Sequence, residues 1–198
     1  MAPPSSPDNS EEPLLPADDA GMQDDRPWYA LRLFTLRQSE VAEHLKSLGL
    51  DIYIPMEYRD REDRTHHIRH ELRPVVHNLI FIRKTMEEEE LRTLLHGLDY
   101  KMAVIRKSRD RQDYCEIPAH QMQEFQAMCN PDILMKRYLS QEQARLKAGT
   151  PVRVTHGPLR GLQGKLVRSN KHYFLLKEIP GMAVMLKVTR WCCQPIGE

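Results

Sequence analysis

The residue pattern of the chain changes once, near Gly149, and this change constrains the fold more than any other feature. Before it, strand-like and helix-like segments alternate along the sequence. After it come short runs of alternating apolar and polar residues, separated by the turn signals "HGPLRG", "SNK" and "IPG". Such runs are typical of short strands joined by tight turns. We therefore expect an α+β unit followed by a small β unit.

The first unit is predicted to be a four-stranded sheet packed with helices. Apolar or alternating segments predict its strands, and apolar positions spaced three and four residues apart predict its helices. The charged segment 58–74 is predicted to be an extended hairpin or loop, and residues 114–117 a possible further strand. The expected strands are residues 28–34, 51–57, 75–84 and 101–107, and the expected helices are residues 39–50, 85–98 and 118–129.

The second unit, residues 148–198, is predicted to be a small β-barrel, joined by a polar linker with some helical character at residues 131–147. Five short strands are expected in this unit. Closing the sheet into a barrel would remove the exposed edges that a domain of this size can hardly leave open.

Charge is spread unevenly along the chain. Residues 1–27 carry seven acidic side chains and one basic, with many prolines and serines. Because such a segment buries too little apolar surface to offset its ordering entropy, we predict a disordered acidic tail. Residues 149–198 carry eight basic and two acidic side chains. This excess indicates an anionic or acidic partner for the second unit.

The glycine-rich stretch "THGPLRGLQGKLV", residues 155–167, invites comparison with a phosphate-binding loop. That loop requires a glycine five residues before Gly164 and a hydroxyl residue after Lys165. The chain has Leu159 and Leu166 at these positions, and a strand rather than a helix is expected to follow. We interpret the glycines at 157, 161 and 164 as residues that permit the positive φ angles of tight turns.

No catalytic or metal site is predicted, and no cofactor. The histidines of "HHIRHE" lie among alternating charges, and "HELRP" lacks the second histidine of a zinc-protease helix. No CxxC pair occurs among the four cysteines, and no apolar run approaches the ~18 residues of a membrane helix. We therefore expect a non-enzymatic, cytoplasmic protein without a membrane partner.

One ordered combination of motifs resembles a known family. "WYAL" is followed by "EHLKSLG", "IYIPM", "VVHNLIFI" and finally "LKAGTPVRVTHGPLRGLQGKLV". Together they resemble the NusG family of transcription factors, most closely its specialised UpxY-type antiterminators. The resemblance implies an NGN-like domain with an antiparallel sheet at residues 28–130. It also implies a KOW domain with an SH3-like barrel at residues 148–198, whose motif comprises Gly157, Arg160, Gly161, Gly164 and Lys165.

The resemblance also implies two binding surfaces on the first domain. An apolar depression would dock the clamp helices of the largest RNA polymerase subunit, with Leu79 and Phe81 on one face of their strand and Ile80 and Ile82 in the helix-covered core. Its lining would comprise Arg32, Val76, Leu79 and Phe81. Contacts with non-template DNA or nascent RNA would involve Arg37, Gln38, Lys101, Arg106 and Lys107.

Three functions remain open at the level of sequence. The first is an operon-specific antiterminator, for example of capsular or surface polysaccharide genes, that suppresses pausing and termination. The second is a general NusG factor whose KOW domain meets a ribosomal protein or another factor. The third is an RNA- or ribosome-binding KOW protein that uses Tyr173 and Phe174 for base stacking.

Overall fold

The computed structural model describes residues 24–62, 66–108, 110 and 113–196. The predicted acidic tail therefore lies almost entirely outside the described residues. The N-terminal part contains, in chain order, β1 (Trp28–Leu33), α1 (Gln38–Ser47), β2 (Ile52–Tyr53), β3 (Met56–Glu62), β4 (Ile68–Pro74), β5 (Leu79–Arg83), α2 (Glu88–His96), β6 (Met102–Val104), β7 (Glu116–Ile117) and α3 (Ala119–Met128).

Five of these strands form the N-terminal sheet, and all its pairings are antiparallel. The order is β2-β5-β1-β6, with β7 pairing along the start of β1. The mixed helix and sheet content agrees with the predicted α+β class. Strands β3 and β4 form a separate two-stranded hairpin, which confirms the hairpin reading of residues 58–74.

Helices α1 and α2 cover one face of the N-terminal sheet. Val41 and Leu45 of α1 and Leu91 of α2 are buried against Ile80 and Ile82 of β5. Helix α2 begins with a capping box in which Glu87 and Glu90 satisfy each other's backbone N–H groups. The alternation predicted for β5 is thereby confirmed, since its two isoleucines face the helices.

Strand β5 is shorter than the sequence suggests. It was predicted over residues 75–84 but begins at Leu79, because His77 and Asn78 form a turn. The carbonyl of Asn78 accepts a hydrogen bond from the Leu33 N–H at 2.9 Å. The β-branched Val75 and Val76 resemble strand residues but lie in the connection that precedes it, partly buried.

The C-terminal part contains β8 (Lys136–Ser140), α4 (Gln141–Arg145), β9 (Thr150–Val154), β10 (Gln163–Ser169), β11 (His172–Ile179), β12 (Met182–Val188), one 3₁₀ turn (Arg190–Cys192) and β13 (Cys193–Pro195). Its six strands form one antiparallel sheet in the order β13-β9-β10-β11-β12-β8. The segment predicted as a linker thus supplies an edge strand. Its sequence, "KRYLS", is too polar to signal a strand, but pairing with β12 stabilises it.

The C-terminal sheet is not a closed barrel in the part of the chain that the structure describes. Its edges are β8 and β13, which do not pair with each other. Basic residues at Lys136 and Arg137 protect one edge, and the other is a three-residue strand ending at Pro195. Charged side chains, short strands and proline all discourage pairing at an edge, so this sheet has less need of closure than the prediction assumed.

The two sheets share one hydrophobic core. Helix α3 and the face of the N-terminal sheet that α1 and α2 leave free pack against one face of the C-terminal sheet. Met122, Phe125 and Met128 of α3 are fully buried there, as their spacing predicted. The opposite face of the C-terminal sheet buries Ala144 of α4 with Phe174. Among the described residues, no helix is long and apolar enough to span a membrane.

Candidate functional site

The strands β1 and β5 place three of the predicted docking residues on one face of the N-terminal sheet. In the register of the pair, Arg32 lies opposite Leu79 and Ala30 opposite Phe81. Leu79 and Phe81 belong to the core shared by the two sheets, and Val76 packs at its border. We call the patch formed by Val76, Leu79 and Phe81 the apolar face.

The apolar face is covered by the protein's own chain. Leu79 is 3% exposed and Phe81 is fully buried, with its ring centroid 5.7 Å from that of Phe125 in α3. The turn between β11 and β12 lies directly on Leu79. A Cβ placed on Gly181 would be 2.8 Å from Cδ1 of Leu79 and 3.1 Å from Cδ1 of Ile105. A partner can reach this face only if the C-terminal sheet moves away.

One buried ion pair fastens the C-terminal sheet to α3. Glu124 of α3 bonds Lys177 of β11, and their side chains are only 11% and 12% exposed. Sequence reasoning missed this pair because Glu124 and Lys177 are far apart along the chain. The signal was weak: Glu124 stands directly beside Phe125, on the buried side of a helix on which His120 faces the solvent.

Arg32 lies at the edge of the apolar face and is exposed. It lines a cleft of about 450 Å³ between the β1–β6 edge of the N-terminal sheet and helix α4. Three further cations line the same cleft, Arg106, Lys107 and Arg145. We call it the basic cleft. Arg106 and Lys107 are predicted nucleic-acid residues, and Arg32 is a predicted polymerase residue. The fourth cation, Arg145, was not singled out from the sequence.

The wall of the basic cleft is polar and aromatic as well as cationic. Phe34, Ser108 and Gln141 line it, and no carboxylate does so among the described residues. Phe34 is 65% exposed, and its N–H donates to the Lys101 carbonyl at 2.8 Å. Lys101, another predicted nucleic-acid residue, is therefore beside the cleft.

Two carboxylates lie near the basic cleft without lining it. The Nε of Arg145 donates to Glu178 Oε1 at 3.2 Å. Hydrogen bonds from its own backbone N–H and from Ser140, together with the charge of Arg32, lower the pKa of Glu142. Glu178 forms an ion pair with Arg145, and the charges of Arg32 and Arg145 act on Glu142, so the two carboxylates offset part of the charge of the four cations and leave an excess of two positive charges.

The other two predicted nucleic-acid residues, Arg37 and Gln38, differ sharply in exposure. Arg37 is exposed and lies 3.8 Å from Glu40. Gln38 is only 3% exposed, and its Nε2 donates to the carbonyls of Val76 at 2.9 Å and Leu79 at 2.7 Å. This burial argues against the surface role predicted for Gln38. Its amide instead fixes the connection that precedes β5.

The glycine-rich stretch forms a tight turn and a strand. Gly157 and Gly161 have φ angles of +80° and +92°, as expected for turn glycines. Gly164 is different, because it lies in β10 and a Cβ there would be 2.5 Å from the Leu176 carbonyl oxygen. The third glycine therefore permits close packing of β11 rather than a positive φ. Arg160 and Lys165 are both exposed.

The two aromatic residues proposed for RNA stacking are not equivalent. Phe174 is 4% exposed and belongs to the core beneath α4. Tyr173 is partly exposed, and the guanidinium carbons of Arg168 and Arg190 lie 5.8 and 6.0 Å from its ring centroid. Only Tyr173 is available to a base. Among the described residues, no cluster of three or more His, Cys, Asp or Glu could hold a metal ion.

The chain matches the model of a known protein family. A family model described as transcription termination factor nusG matches residues 26–126. The match includes β1 to β7 and most of α3, and with them Arg32, the apolar face and the N-terminal wall of the basic cleft. No curated protein matches the chain.

Proposed function

The chain belongs to the NusG family of transcription elongation and termination factors, and we propose that it is a specialised, UpxY-type antiterminator. Factors of this family generally bind RNA polymerase and are not enzymes. In the proposed mechanism, the apolar face, with Arg32 at its rim, docks the clamp helices of the largest polymerase subunit. The bound factor holds the clamp closed across the DNA channel and so suppresses pausing and termination.

The observation that carries the proposal is that the N-terminal sheet is apolar on both of its sides. One face is buried by α1 and α2, as a two-layer α+β domain requires. The other carries Val76, Leu79 and Phe81 and is covered by α3 and a sheet from a different part of the chain. An apolar surface of this kind suits the apolar side of a helix, with a few buried anchors supplying most of the affinity.

Docking in this scheme requires the C-terminal sheet to leave the apolar face. The protein alone then rests in a closed arrangement, in which Gly181 and its turn occupy the place of the polymerase helices. Because only open molecules can bind in this scheme, the apparent affinity for polymerase is the intrinsic affinity multiplied by the small fraction of molecules that are open. Whatever binds the freed C-terminal sheet, such as a ribosomal protein or another factor, would favour docking.

The remaining contacts of the proposal concern nucleic acid and the KOW unit. Arg37, Lys101, Arg106 and Lys107 are exposed and would approach non-template DNA or nascent RNA. Residues 148–198 would act as the KOW domain, with Arg160 and Lys165 facing its partner. The proposed targets are the transcripts of capsular or surface polysaccharide operons, in the cytoplasm. A run-off assay on such an operon tests this role, since added protein should increase read-through past its terminators.

The docking surface is best tested at its partly buried border. Truncating Leu79 or Phe81 would cost about 2–5 kcal/mol and endanger the fold itself. Val76→Glu instead places a charge at the rim, and we expect it to abolish pull-down of core polymerase. Val188→Glu is the matched control, because Val188 is also partly buried against the shared core but belongs to the C-terminal sheet.

The two variants separate the proposal from a general loss of structure. Both should retain the circular dichroism spectrum of the native protein. Val188→Glu should bind polymerase at least as well as the native chain, since loosening the C-terminal sheet frees the apolar face. Native-like binding by folded Val76→Glu would exclude the apolar face as the docking surface.

A further inference from the structure

We propose that the basic cleft is a composite binding site for single-stranded nucleic acid, built from both sheets of the closed protein. The inference rests on the proposed contact with nucleic acid and deepens it. It adds Arg32, Phe34 and Arg145 to the contacts already considered, and it places them in one site.

The charge of the cleft indicates a phosphate chain as its ligand. Four cations line it, and among the described residues no carboxylate does. Arg145 forms an ion pair with Glu178 through its Nε, which offsets part of its charge, but a guanidinium has five N–H donors, so further donors of Arg145 can meet a phosphate. Arginine is suited to this task because its planar fork matches phosphate oxygens.

The exposed ring in the cleft indicates that the bases are unpaired. Phe34 is 65% exposed beside the cations, although a ring of this size is normally buried in a core. A base can stack on such a ring only when it is not held in a duplex by base pairing and stacking, as in a single strand. Cations along the backbone path and a ring for the bases are the two elements that single-strand sites combine.

The cleft exists only while the two sheets are packed together. Arg32, Arg106 and Lys107 come from the N-terminal sheet and the loop after it, whereas Arg145 comes from α4, whose Ala144 is buried in the C-terminal sheet. Movement of that sheet off the apolar face therefore takes Arg145 away from the other three cations of the cleft. A strand bound in the cleft must stabilise the closed arrangement, and by reciprocity release of the sheet must weaken the strand's binding.

The test uses the full chain and no polymerase. Fluorescence anisotropy measures binding of a labelled oligonucleotide of about 12 nucleotides, as single-stranded DNA, as RNA of the same sequence and as the DNA duplex. Binding of either single strand more tightly than the duplex supports the site, and the tighter of the two identifies its natural ligand. Equal or tighter binding of the duplex overturns it.

Variants locate the binding. Arg106→Gln and Arg145→Gln should each weaken binding roughly fivefold and reduce the salt slope by about 0.7, the value for one phosphate on a single strand. Phe34→Ala should weaken binding without changing the salt slope, because stacking releases no counterions. The matched control is Arg153→Gln, which removes an equal charge from exposed β9 and should leave both quantities unchanged.

One comparison decides whether the site is composite. Equal binding by Arg145→Gln and Arg153→Gln would show that the C-terminal part contributes nothing and would overturn the proposal. The assay contains no polymerase, so failure of the cleft and failure of the docking surface are distinguishable: Arg106→Gln should lose affinity for the oligonucleotide but should still be captured by polymerase.

Discussion

Removal of the Lys177 charge is expected to open the protein and to increase its affinity for RNA polymerase. Lys177 and Glu124 are buried together between α3 and β11, with side chains 12% and 11% exposed. In Lys177→Met the carboxylate of Glu124 stays buried without its partner as long as the protein is closed. When the C-terminal sheet moves away, water solvates the Glu124 carboxylate, and the free-energy cost of burying an unpaired charge disappears.

The size of the effect follows from the burial of the pair. Removal of one partner of a buried ion pair destabilises the closed arrangement by about 3 kcal/mol, at the lower end of the usual range because both groups keep slight exposure. Since 1.4 kcal/mol corresponds to a factor of ten, the open fraction should rise by about 100-fold. The apparent Kd for core polymerase should fall by up to the same factor, because in the proposed mechanism only open molecules bind.

The assay is a titration of core polymerase with labelled protein, and its control is the double variant Glu124→Leu/Lys177→Met. Replacing both charges by apolar side chains of similar size is often neutral or stabilising, so the double variant should be closed and bind like the native chain. Equal affinities for native protein and Lys177→Met would refute the argument that docking requires the sheet to move. Weak binding by both variants would instead place Lys177 in the polymerase contact.

Three further predictions concern stability and reactivity. Gly164→Ala should lower the free energy of unfolding by about 1–3 kcal/mol in a urea titration, because the added Cβ would meet the Leu176 carbonyl. Gly157→Ala is the comparison: its added Cβ meets open space, so it should cost only the ~1 kcal/mol of its positive φ. Burial raises the pKa of the Cys129 thiol to about 12, so in a thiol titration at pH 8 this thiol should stay unmodified until the protein unfolds. The hydrogen bond from Lys84 lowers the pKa of Glu116 below its ordinary 4.5, so Glu116 stabilises the fold above that pH and loses this effect as the pH falls. Because the pair is partly exposed and therefore weak, Glu116→Gln should lower Tm by only about one or two degrees at pH 7 and by less at pH 3.

Local features of the fold were predictable because they depend on neighbours in the sequence. The apolar spacing of α3 predicted that Met122, Phe125 and Met128 share a buried face, and all three are fully buried. The "SNK" signal predicted a turn between β10 and β11, and Asn170 and Lys171 both have the positive φ that such a turn requires. In each case a few adjacent residues determine the conformation.

Features that depend on distant partners were not predictable. Strand β8 forms because β12 offers it hydrogen bonds, although its own sequence resembles a linker. Gln38 has the appearance of a surface residue, but the carbonyls of Val76 and Leu79 hold it inside. Likewise, the alternation of β5 predicted that Leu79 and Phe81 share one face of the sheet, as they do, but no local pattern indicates that Gly181 lies on Leu79.

The register of β1 with β5 explains why the two proposed sites cannot operate independently. Arg32 and Leu79 are direct neighbours across the pair, so a single position of the C-terminal sheet decides the state of both. With the sheet in place, Leu79 is covered and Arg32 faces Arg145 across the cleft. With the sheet removed, Leu79 would be exposed, and Arg32 would lose Arg145 and become the cationic rim of the proposed docking surface. Under the two proposals, the composite cleft is complete only in the closed protein and the docking surface is free only in the open one, so each ligand would oppose the other in proportion to its preference for one arrangement.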